Sequence, residues 1–178
     1  MKVCVFGSSS SNLDQIYSDA AEELGHVLAE RDHALVFGGY DMGLMGAVAR
    51  GVAAGGGEVY GVVTEGLSAK GDRDVFACTH VLSCADLAQR KLAMVAMADA
   101  FVTLPGGIGT FDELFDVLSQ AKAGEACKGC AIYNVAGYFN PLVTMLDEAC
   151  EKGLNSTDWH DYCAVFDNAE ELVVYLEH

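Results

Sequence analysis

Short apolar runs alternate with longer amphipathic segments along this chain. The run Lys2–Phe6 has the length and apolar character of a buried strand, and in the next segment, Leu13–Arg31, apolar residues recur at helical spacing. The same alternation predicts strands at Lys2–Phe6, Ala34–Phe37, Val59–Val63, Val75–Leu82, Phe101–Leu104, Cys130–Tyr133 and Ala164–Phe166, and helices at Leu13–Arg31, Gly43–Ala54, Asp86–Met97, Thr110–Lys122, Pro141–Glu151 and Ala169–Glu177. Continuous apolar strands separated by helices are typical of a parallel sheet covered on both faces.

The predicted fold is therefore an α/β, Rossmann-like, doubly wound parallel sheet with helices on both faces. The 178 residues are 52% hydrophobic and 20% charged, a composition typical of a compact globular protein. The sequence contains no internal repeat and no low-complexity linker, and its longest glycine run, Gly55–Gly57, has the length of an ordinary connection. We therefore expect residues 1–178 to form one domain.

Three glycine- or serine-rich loops follow predicted strands, at Gly7–Ser11, Gly38–Gly46 and Pro105–Thr110. Ligands of open α/β sheets bind beyond the carboxyl ends of the strands. We therefore expect the three loops to line one composite cleft. The first loop lacks the G-x-G-x-x-G dinucleotide fingerprint, and the sequence contains no G-K-[ST] phosphate loop.

The third loop is the most informative of the three. Residues 105–113 read Pro-Gly-Gly-Ile-Gly-Thr-Phe-Asp-Glu, between an apolar strand and a helical pattern. Glycines here let backbone N–H groups approach an anion, and the helix dipole favours a phosphate at that point. The Glu113 carboxylate would repel a phosphate, so we expect it to have a role other than phosphate binding. Thr110-x-x-Glu113 also matches a capping box, in which the carboxylate accepts from the amide that begins its own helix. The spacing alone leaves both roles open.

The second loop places a double glycine and Gly43 around a helix start. A tight turn with close helix–sheet packing explains this loop equally well by itself, but two glycine-rich helix starts in one cleft are more than packing requires. We therefore take Ser8, Gly39, Gly43 and Met45 as candidate nucleotide-binding residues. The adjacent pair Arg90-Lys91 is a further candidate, although a solvated basic pair is the ordinary explanation.

Charge and hydropathy limit the possible partners. A formal net charge of −16 disfavours a nucleic-acid polymer or an anionic membrane surface, but not one small phosphorylated ligand bound by backbone amides. No apolar run approaches the length of a membrane span, and the first residues are more typical of a strand than of a secretory signal. We therefore expect a cytoplasmic protein.

The seven cysteines and five histidines show no ligand pattern. Cys127-Lys-Gly-Cys130 is a single C-x-x-C without the second ligand pair that a structural zinc site needs, and it precedes a strand rather than beginning a helix. The histidines are dispersed, and none is a catalytic candidate. We therefore expect reduced thiols, no metal and no cofactor.

Together these motifs resemble the Lonely Guy (LOG) family of cytokinin-activating phosphoribohydrolases, also called lysine-decarboxylase-like. The likeness comprises Arg90-Lys91, Pro-Gly-Gly-x-Gly-Thr-x-x-Glu at 105–113, the Gly38–Gly46 loop and the segment Asn134–Asn140. It implies hydrolysis of the N-glycosidic bond of a nucleoside 5′-monophosphate, typically an N6-substituted adenosine monophosphate, to a free base and ribose 5-phosphate. Nothing in the sequence marks a pyridoxal-phosphate lysine.

The resemblance also implies residue roles. Arg90 and Glu113 are the implied catalytic residues. The implied phosphate- or nucleotide-binding residues are Lys91, Gly106, Gly107, Gly109 and Thr110. Family members are usually homodimers with sites near the interface. A carboxylate near the anomeric carbon suits an oxocarbenium-like transition state, because it stabilises positive charge or activates water.

The sequence departs from the family pattern at three points. Leu87-Ala88-Gln89 replaces a segment that often carries a histidine, Tyr40 replaces the third glycine of the second loop, and Ser119-Gln120 replaces a common Thr-Trp pair. Ala88 and Tyr40 bear on the base preference more than on the reaction type. Two alternatives remain open at this stage: a nucleotide or molybdenum-cofactor carrier that shares the fold, and an interaction protein on an inactive scaffold.

Overall fold

A single sheet of seven parallel strands is the centre of the molecule. The computed structural model describes residues 1–65, 74–124 and 129–178. Within them the strands are β1 (Lys2–Phe6), β2 (Ala34–Phe37), β3 (Val59–Thr64), β4 (His80–Cys84), β5 (Ala100–Thr103), β6 (Cys130–Tyr133) and β7 (Ala164–Phe166). The strand order is β4-β3-β2-β1-β5-β6-β7, and every pair of neighbouring strands is parallel. This confirms the predicted doubly wound α/β fold.

Six α-helices cover the two faces of the sheet in the described part of the chain. They are α1 (Gln15–Glu30), α2 (Gly43–Ala54), α3 (Leu87–Met97), α4 (Ile108–Lys122), α5 (Asn140–Glu151) and α6 (Ala169–Leu176). None of the described helices is long and apolar enough to cross a membrane.

Two apolar layers lie on opposite faces of the sheet because successive strand residues point to opposite sides. In β1, Val3 and Val5 contribute to one layer, with α1, α2 and α6. Cys4 and Phe6 contribute to the other layer, with α3 and α4. Arg90 and Glu113 lie on the two helices of this second layer. The two helices that carry the predicted catalytic residues therefore cover the same face of the sheet.

The strand predicted at Val75–Leu82 is wrong in position. Val75 makes only an isolated antiparallel bridge with Tyr40, and β4 begins at His80. The residues near Val75 are apolar for a different reason, since Phe76 packs edge-on against Phe37 at 6.0 Å between ring centroids. β4 is an edge strand whose first four residues are exposed, so its pattern is not that of a buried strand.

Candidate active site

A cleft of about 380 Å³ lies beyond the carboxyl ends of the strands. It lies where β1 separates β2 from β5, so the chain order reverses on either side of it, which is the usual ligand position in such sheets. All three predicted loops line it, as expected. The lining residues are Gly7, Ser8, Ser9, Ser10, Tyr40, Met45, Leu87, Arg90, Gly107, Gly109, Thr110 and Glu113.

Backbone hydrogen bonds tie the three loops together. The Ser8 N–H donates to the Pro105 carbonyl at 3.0 Å, and the Leu44 N–H donates to the Ser8 carbonyl at 2.9 Å. The first loop is therefore held by both of the others. Ser9 and Ser10 join Ser8 as lining residues of the cleft. Sequence reasoning selected Ser8 alone, although the run of four serines after β1 was the available signal.

The helix α4 begins with unoccupied amides facing the cleft. Its N-cap is Gly107, which has no side chain to cap it, and α4 begins at Ile108 rather than at Thr110. Thr110 is thus the third helical residue and Glu113 the sixth, out of register for a capping box, so that alternative is wrong. The open N–H groups and the helix dipole make this end of the helix suited to an anion.

Gly107 and Gly109 differ from glycines that serve packing. A Cβ added to either would meet no other protein atom within 4 Å, and neither has a positive φ. The protein itself therefore does not require glycine at these two positions. Both line the cleft, so a Cβ at either position would project into open space in or beside it. Gly106 is different, because a Cβ there would overlap the buried Thr110 side chain.

Arg90 reaches the cleft from the first turn of α3. Asp86 caps that helix by accepting from the Gln89 N–H at 2.8 Å, which fixes where the helix begins. The Arg90 Nε donates to the Val62 carbonyl of β3 at 2.7 Å. A Cβ at Gly38 would overlap the guanidinium group, so Gly38 provides the room that Arg90 occupies. Gly38 and Val62 were not among the predicted site residues, and only the tertiary contact reveals their part.

Glu113 extends into the cleft from α4. Burial raises its pKa from 4.5 to about 7, against the opposing effect of the nearby Arg90 guanidinium. Arg90 and Glu113 thus interact electrostatically across the cleft, although they are 23 residues apart in the sequence. The charges of both groups also affect the Cys4 thiol, but burial is the largest effect and raises the pKa of this thiol well above its usual value. A half-buried carboxyl whose pKa lies near neutrality is suited to proton transfer or charge stabilisation.

Besides Gly106, three predicted residues lie away from the cleft surface. Lys91 pairs with Asp112 at 3.0 Å and Asp116 at 3.8 Å, and its hydrogen bond to Asp112 raises the pKa of Lys91. Lys91 therefore links α3 to α4. Gly39 and Gly43 have φ angles of +80° and +53° and lie tightly against neighbouring chain. These three residues support the walls of the cleft rather than line it.

The lining of the cleft has an apolar part and a polar part. Tyr40, Met45 and Leu87 form the apolar part, and Tyr40 is almost fully buried. The serine loop and the start of α4 belong to the polar part. Leu87 was not a predicted site residue, because an exposed leucine at a helix start gives no signal in the sequence. A lining that combines polar and apolar residues is typical of small-molecule sites.

No group of three or more histidine, cysteine, aspartate or glutamate residues with the geometry of a metal site occurs in residues 1–65, 74–124 and 129–178. Cys127 of the C-x-x-C pair lies outside the described residues. Its partner Cys130 is fully buried beside Cys163, and this contact together with burial raises the pKa of the Cys130 thiol.

The chain resembles known proteins over its whole length. A family model described as possible lysine decarboxylase matches residues 45–176. The chain is 41% identical to the cytokinin riboside 5′-monophosphate phosphoribohydrolase LOG7 of Arabidopsis thaliana, covering 99% of this chain and 81% of that protein. It is 39% identical to the probable cytokinin riboside 5′-monophosphate phosphoribohydrolase LOGL2 of Oryza sativa subsp. japonica, covering 99% of this chain and 72% of that protein.

Solved structures show a shared fold. The molybdenum cofactor binding protein of Rippkaea orientalis superimposes with a TM-score of 0.73 at 16% identity, over 99% of this chain and 94% of that one. The molybdenum cofactor carrier protein of Chlamydomonas reinhardtii superimposes with a TM-score of 0.71 at 18% identity, over 99% of this chain and 94% of that one. At such identities the likeness concerns the backbone architecture alone.

Fold and cleft together define a Rossmann-like α/β protein with a helix start suited to an anion and a half-buried acid in the same cleft. The chain belongs to the lysine-decarboxylase-like family, in the Lonely Guy group of phosphoribohydrolases. The resemblance drawn from the motifs is therefore confirmed.

Proposed function

We propose that this protein is an enzyme that hydrolyses the N-glycosidic bond of adenosine 5′-monophosphate or its N6-substituted derivatives. The products are the free base and ribose 5-phosphate. One observation carries the proposal: Arg90 and the half-buried Glu113 lie in one cleft with the uncapped start of α4. The relatives named above are phosphoribohydrolases of cytokinin riboside 5′-monophosphates, which supports the same reaction class.

The phosphate is proposed to bind at the polar part of the cleft. Gly107, Gly109 and Thr110 present backbone N–H groups there, and the Thr110 side chain adds a hydroxyl. Such a site needs no lysine, which agrees with the engagement of Lys91 by two aspartates. Anchoring the phosphate supplies binding energy that positions the sugar for reaction.

Glu113 is the proposed catalytic acid–base group. In its ionised form it stabilises the oxocarbenium-like sugar and takes a proton from the attacking water. The water oxygen bonds to the anomeric carbon as the carbon–nitrogen bond breaks, and the electron pair of that bond leaves with the base, which takes up a proton. Arg90, held through its Nε by Val62, has its remaining guanidinium N–H groups for the phosphate, Glu113 or the departing base. No step passes through a metal or cofactor.

The apolar part is the proposed base site. Tyr40, Met45 and Leu87 offer a surface for a purine ring, and Leu87 is 60% exposed at the edge of the cleft. A substituent on the purine N6 atom would extend this apolar contact. Tyr40, which replaces a glycine of the family pattern, makes this wall larger and is therefore the residue most able to alter base preference.

We further propose a homodimer of single-domain subunits that works in the cytoplasm. The helices α3 and α4 expose large apolar side chains beside the cleft. These are Leu87, Leu92, Ile108 and Phe115, with exposed fractions of 60%, 63%, 89% and 38%. A patch of this kind is typical of an interaction surface. Analytical ultracentrifugation tests the dimer, and a monomer at micromolar concentration would contradict it.

The decisive experiment is a panel of nucleoside 5′-monophosphates, each incubated with purified protein and analysed by chromatography for free base. We expect base and ribose 5-phosphate in equal amounts from adenosine 5′-monophosphate or an N6-substituted derivative. Adenosine without its phosphate is the matched control and should react far more slowly, because it lacks the anchored group. Binding of several nucleotides without any cleavage would overturn the enzymatic proposal and favour a carrier. Mass spectrometry of any pterin retained through purification would then test the carrier directly.

A further inference from the structure

Tyr138 contacts the third loop from outside the cleft. It lies in the turn between β6 and α5, and its hydroxyl donates to the Gly106 carbonyl oxygen at 2.5 Å. Tyr138 does not line the cleft, and the proposed reaction gives it no role so far. Its hydrogen-bond partner, however, belongs to the loop that is proposed to hold the phosphate.

The peptide unit between Gly106 and Gly107 separates two cavities. Gly106 lines a cavity of about 220 Å³ together with Tyr138 and Pro105, whereas Gly107 lines the catalytic cleft. The described residues contain no cis peptide bond, so the carbonyl and the N–H of this unit point in opposite directions. A carbonyl that accepts from Tyr138 therefore directs the Gly107 N–H toward the cleft. That N–H has no backbone acceptor among the described residues.

Nothing else in the loop fixes the rotation of this peptide unit as firmly. Glycine on both sides gives the backbone wide freedom, and the Gly107 φ and ψ of −97° and −156° are extended rather than helical. The Thr110 side chain packs against the Cα of Gly106, but this contact does not engage the carbonyl. The hydroxyl of Tyr138 does engage it directly.

The turn that carries Tyr138 is itself tightly held. Asn134 accepts from the Phe139 N–H at 2.7 Å and donates to Asn140 at 2.8 Å. Ala136 has a φ of +51°, a left-handed conformation that is unfavourable for a residue with a Cβ. Tyr17 packs edge-on against the Tyr138 ring at 6.3 Å between centroids. The ring is thus fixed by its own turn and by α1.

We propose that Tyr138 is a positioning residue for substrate binding. By holding the Gly106 carbonyl, its hydroxyl keeps the Gly107 N–H directed at the 5′-phosphate of the nucleotide. This inference rests on the proposed function, because it assumes that a phosphate binds at the start of α4. The structure assigns Tyr138 no contact with the substrate itself.

The test compares Tyr138→Phe with Tyr17→Phe. Both substitutions remove one phenol hydroxyl and keep the ring, but only the first removes the donor to Gly106. Ribose 5-phosphate, the proposed product, serves as a probe that binds without turnover and is titrated by calorimetry. We expect Tyr138→Phe to bind it about tenfold more weakly, the loss typical of one misdirected charge-assisted hydrogen bond. Tyr17→Phe should bind it like the parent protein.

Kinetics with adenosine 5′-monophosphate supply the second readout. KM should rise by the same factor as the dissociation constant in Tyr138→Phe, while kcat stays within about twofold, because the phosphate contact is alike in ground and transition states. Equal binding of ribose 5-phosphate by the parent and by Tyr138→Phe would overturn the positioning role. A strongly lowered kcat together with a lowered melting temperature would also overturn the positioning role, since that pattern indicates a structural role. A parent protein that binds no ribose 5-phosphate at all would instead overturn the proposed function.

Discussion

The two glycine-rich helix starts of this protein look alike in sequence, but they differ in backbone conformation and in the space around their glycines. At the start of α2, Gly39 and Gly43 have positive φ angles, and a Cβ at Gly43 would overlap the backbone of Ser8 and Ser10. At the start of α4, Gly107 and Gly109 have neither a positive φ nor a neighbour that a Cβ would meet. The second loop, Gly38–Gly46, therefore uses glycine to pack protein against protein. The third loop, Pro105–Thr110, has glycine where the protein leaves open space.

The two helices also differ in charge. Neither helix has an acidic residue in its first turn, but α4 carries Glu113 in its second turn, inside the cleft, whereas α2 contains no acidic residue at all. Removal of the Glu113 carboxylate from α4 should thus abolish chemistry, whereas changes at the start of α2 should affect folding. Four substitutions or conditions separate these expectations, from the largest expected effect to the smallest.

Glu113→Gln should lower kcat by about 10³-fold, because the amide can neither take a proton nor carry the charge that stabilises the transition state. The measurement is the initial rate of base release at pH 8. Asp112→Asn is the matched control, since it removes the neighbouring carboxylate on the exposed side of α4, where 64% of the side chain is exposed. Asp112→Asn should keep most of the activity. Comparable losses in both variants would contradict the special role of Glu113.

Gly43→Ala should destabilise the protein by about 2 kcal/mol or more, which lowers the melting temperature by roughly 4–8 °C. The cause is a Cβ placed at a φ of +53° against the carbonyl groups of Ser8 and Ser10. Thermal unfolding followed by circular dichroism measures this effect. An unchanged melting temperature would show that the second loop tolerates a Cβ at this position, and the distinction between the second and third loops would fail.

Gly109→Ala should do the opposite. Since Gly109 lies within α4, alanine should leave the melting temperature unchanged or raise it slightly, by about 1–3 °C. The new methyl group projects into open space in or beside the cleft, where the phosphate is proposed to bind, so KM for the nucleotide should rise about tenfold. Kinetics and thermal unfolding on one preparation check both effects. A KM equal to that of the parent would indicate that the phosphate does not approach this residue.

The pH dependence should follow Glu113. Its folded-state pKa of about 7 lies above the ordinary 4.5, so the folded protein keeps a proton that the unfolded chain releases between these values. Its contribution to stability is therefore full below about pH 4.5 and declines as the pH rises to about 7. Glu113→Gln removes this decline, and its melting temperature should exceed that of the parent at pH 8 but not at pH 5.

Activity should change with pH in the opposite sense to stability. If the ionised carboxylate acts on the sugar and the water, kcat/KM rises through about pH 7 and then reaches a plateau. A fall in kcat/KM through the same range would show that the protonated form is the active one. Asp112→Asn is a second check on the assignment, because the Asp112 charge also raises the pKa of Glu113 and its removal should shift the midpoint of the profile to lower pH.

The alternating apolar pattern determined most of the architecture. The bounds of β1, β2, β6, β7 and α2 agree with the prediction residue by residue. Buried strands and amphipathic helices are local patterns, so the sequence displays them directly. The same holds for the three loops, because parallel strands bring their carboxyl ends to one edge of the sheet.

What the sequence did not determine depends on contacts between distant segments. The capping-box alternative was wrong because α4 begins at Ile108, two residues before Thr110. The predicted position of β4 was wrong for two reasons. An edge strand need not be apolar, and the apolar Phe76, which precedes the strand, packs on Phe37.

By itself, then, the sequence determined the family, the order of elements and the candidate pair Arg90 and Glu113. Only the tertiary structure decided that Lys91 pairs with aspartates, that Val62 and Gly38 hold Arg90, and that burial raises the pKa of Glu113 to about 7. The reason is physical. Local patterns follow from the backbone period of each element, whereas desolvation, steric room and ion pairing arise only where separate elements meet.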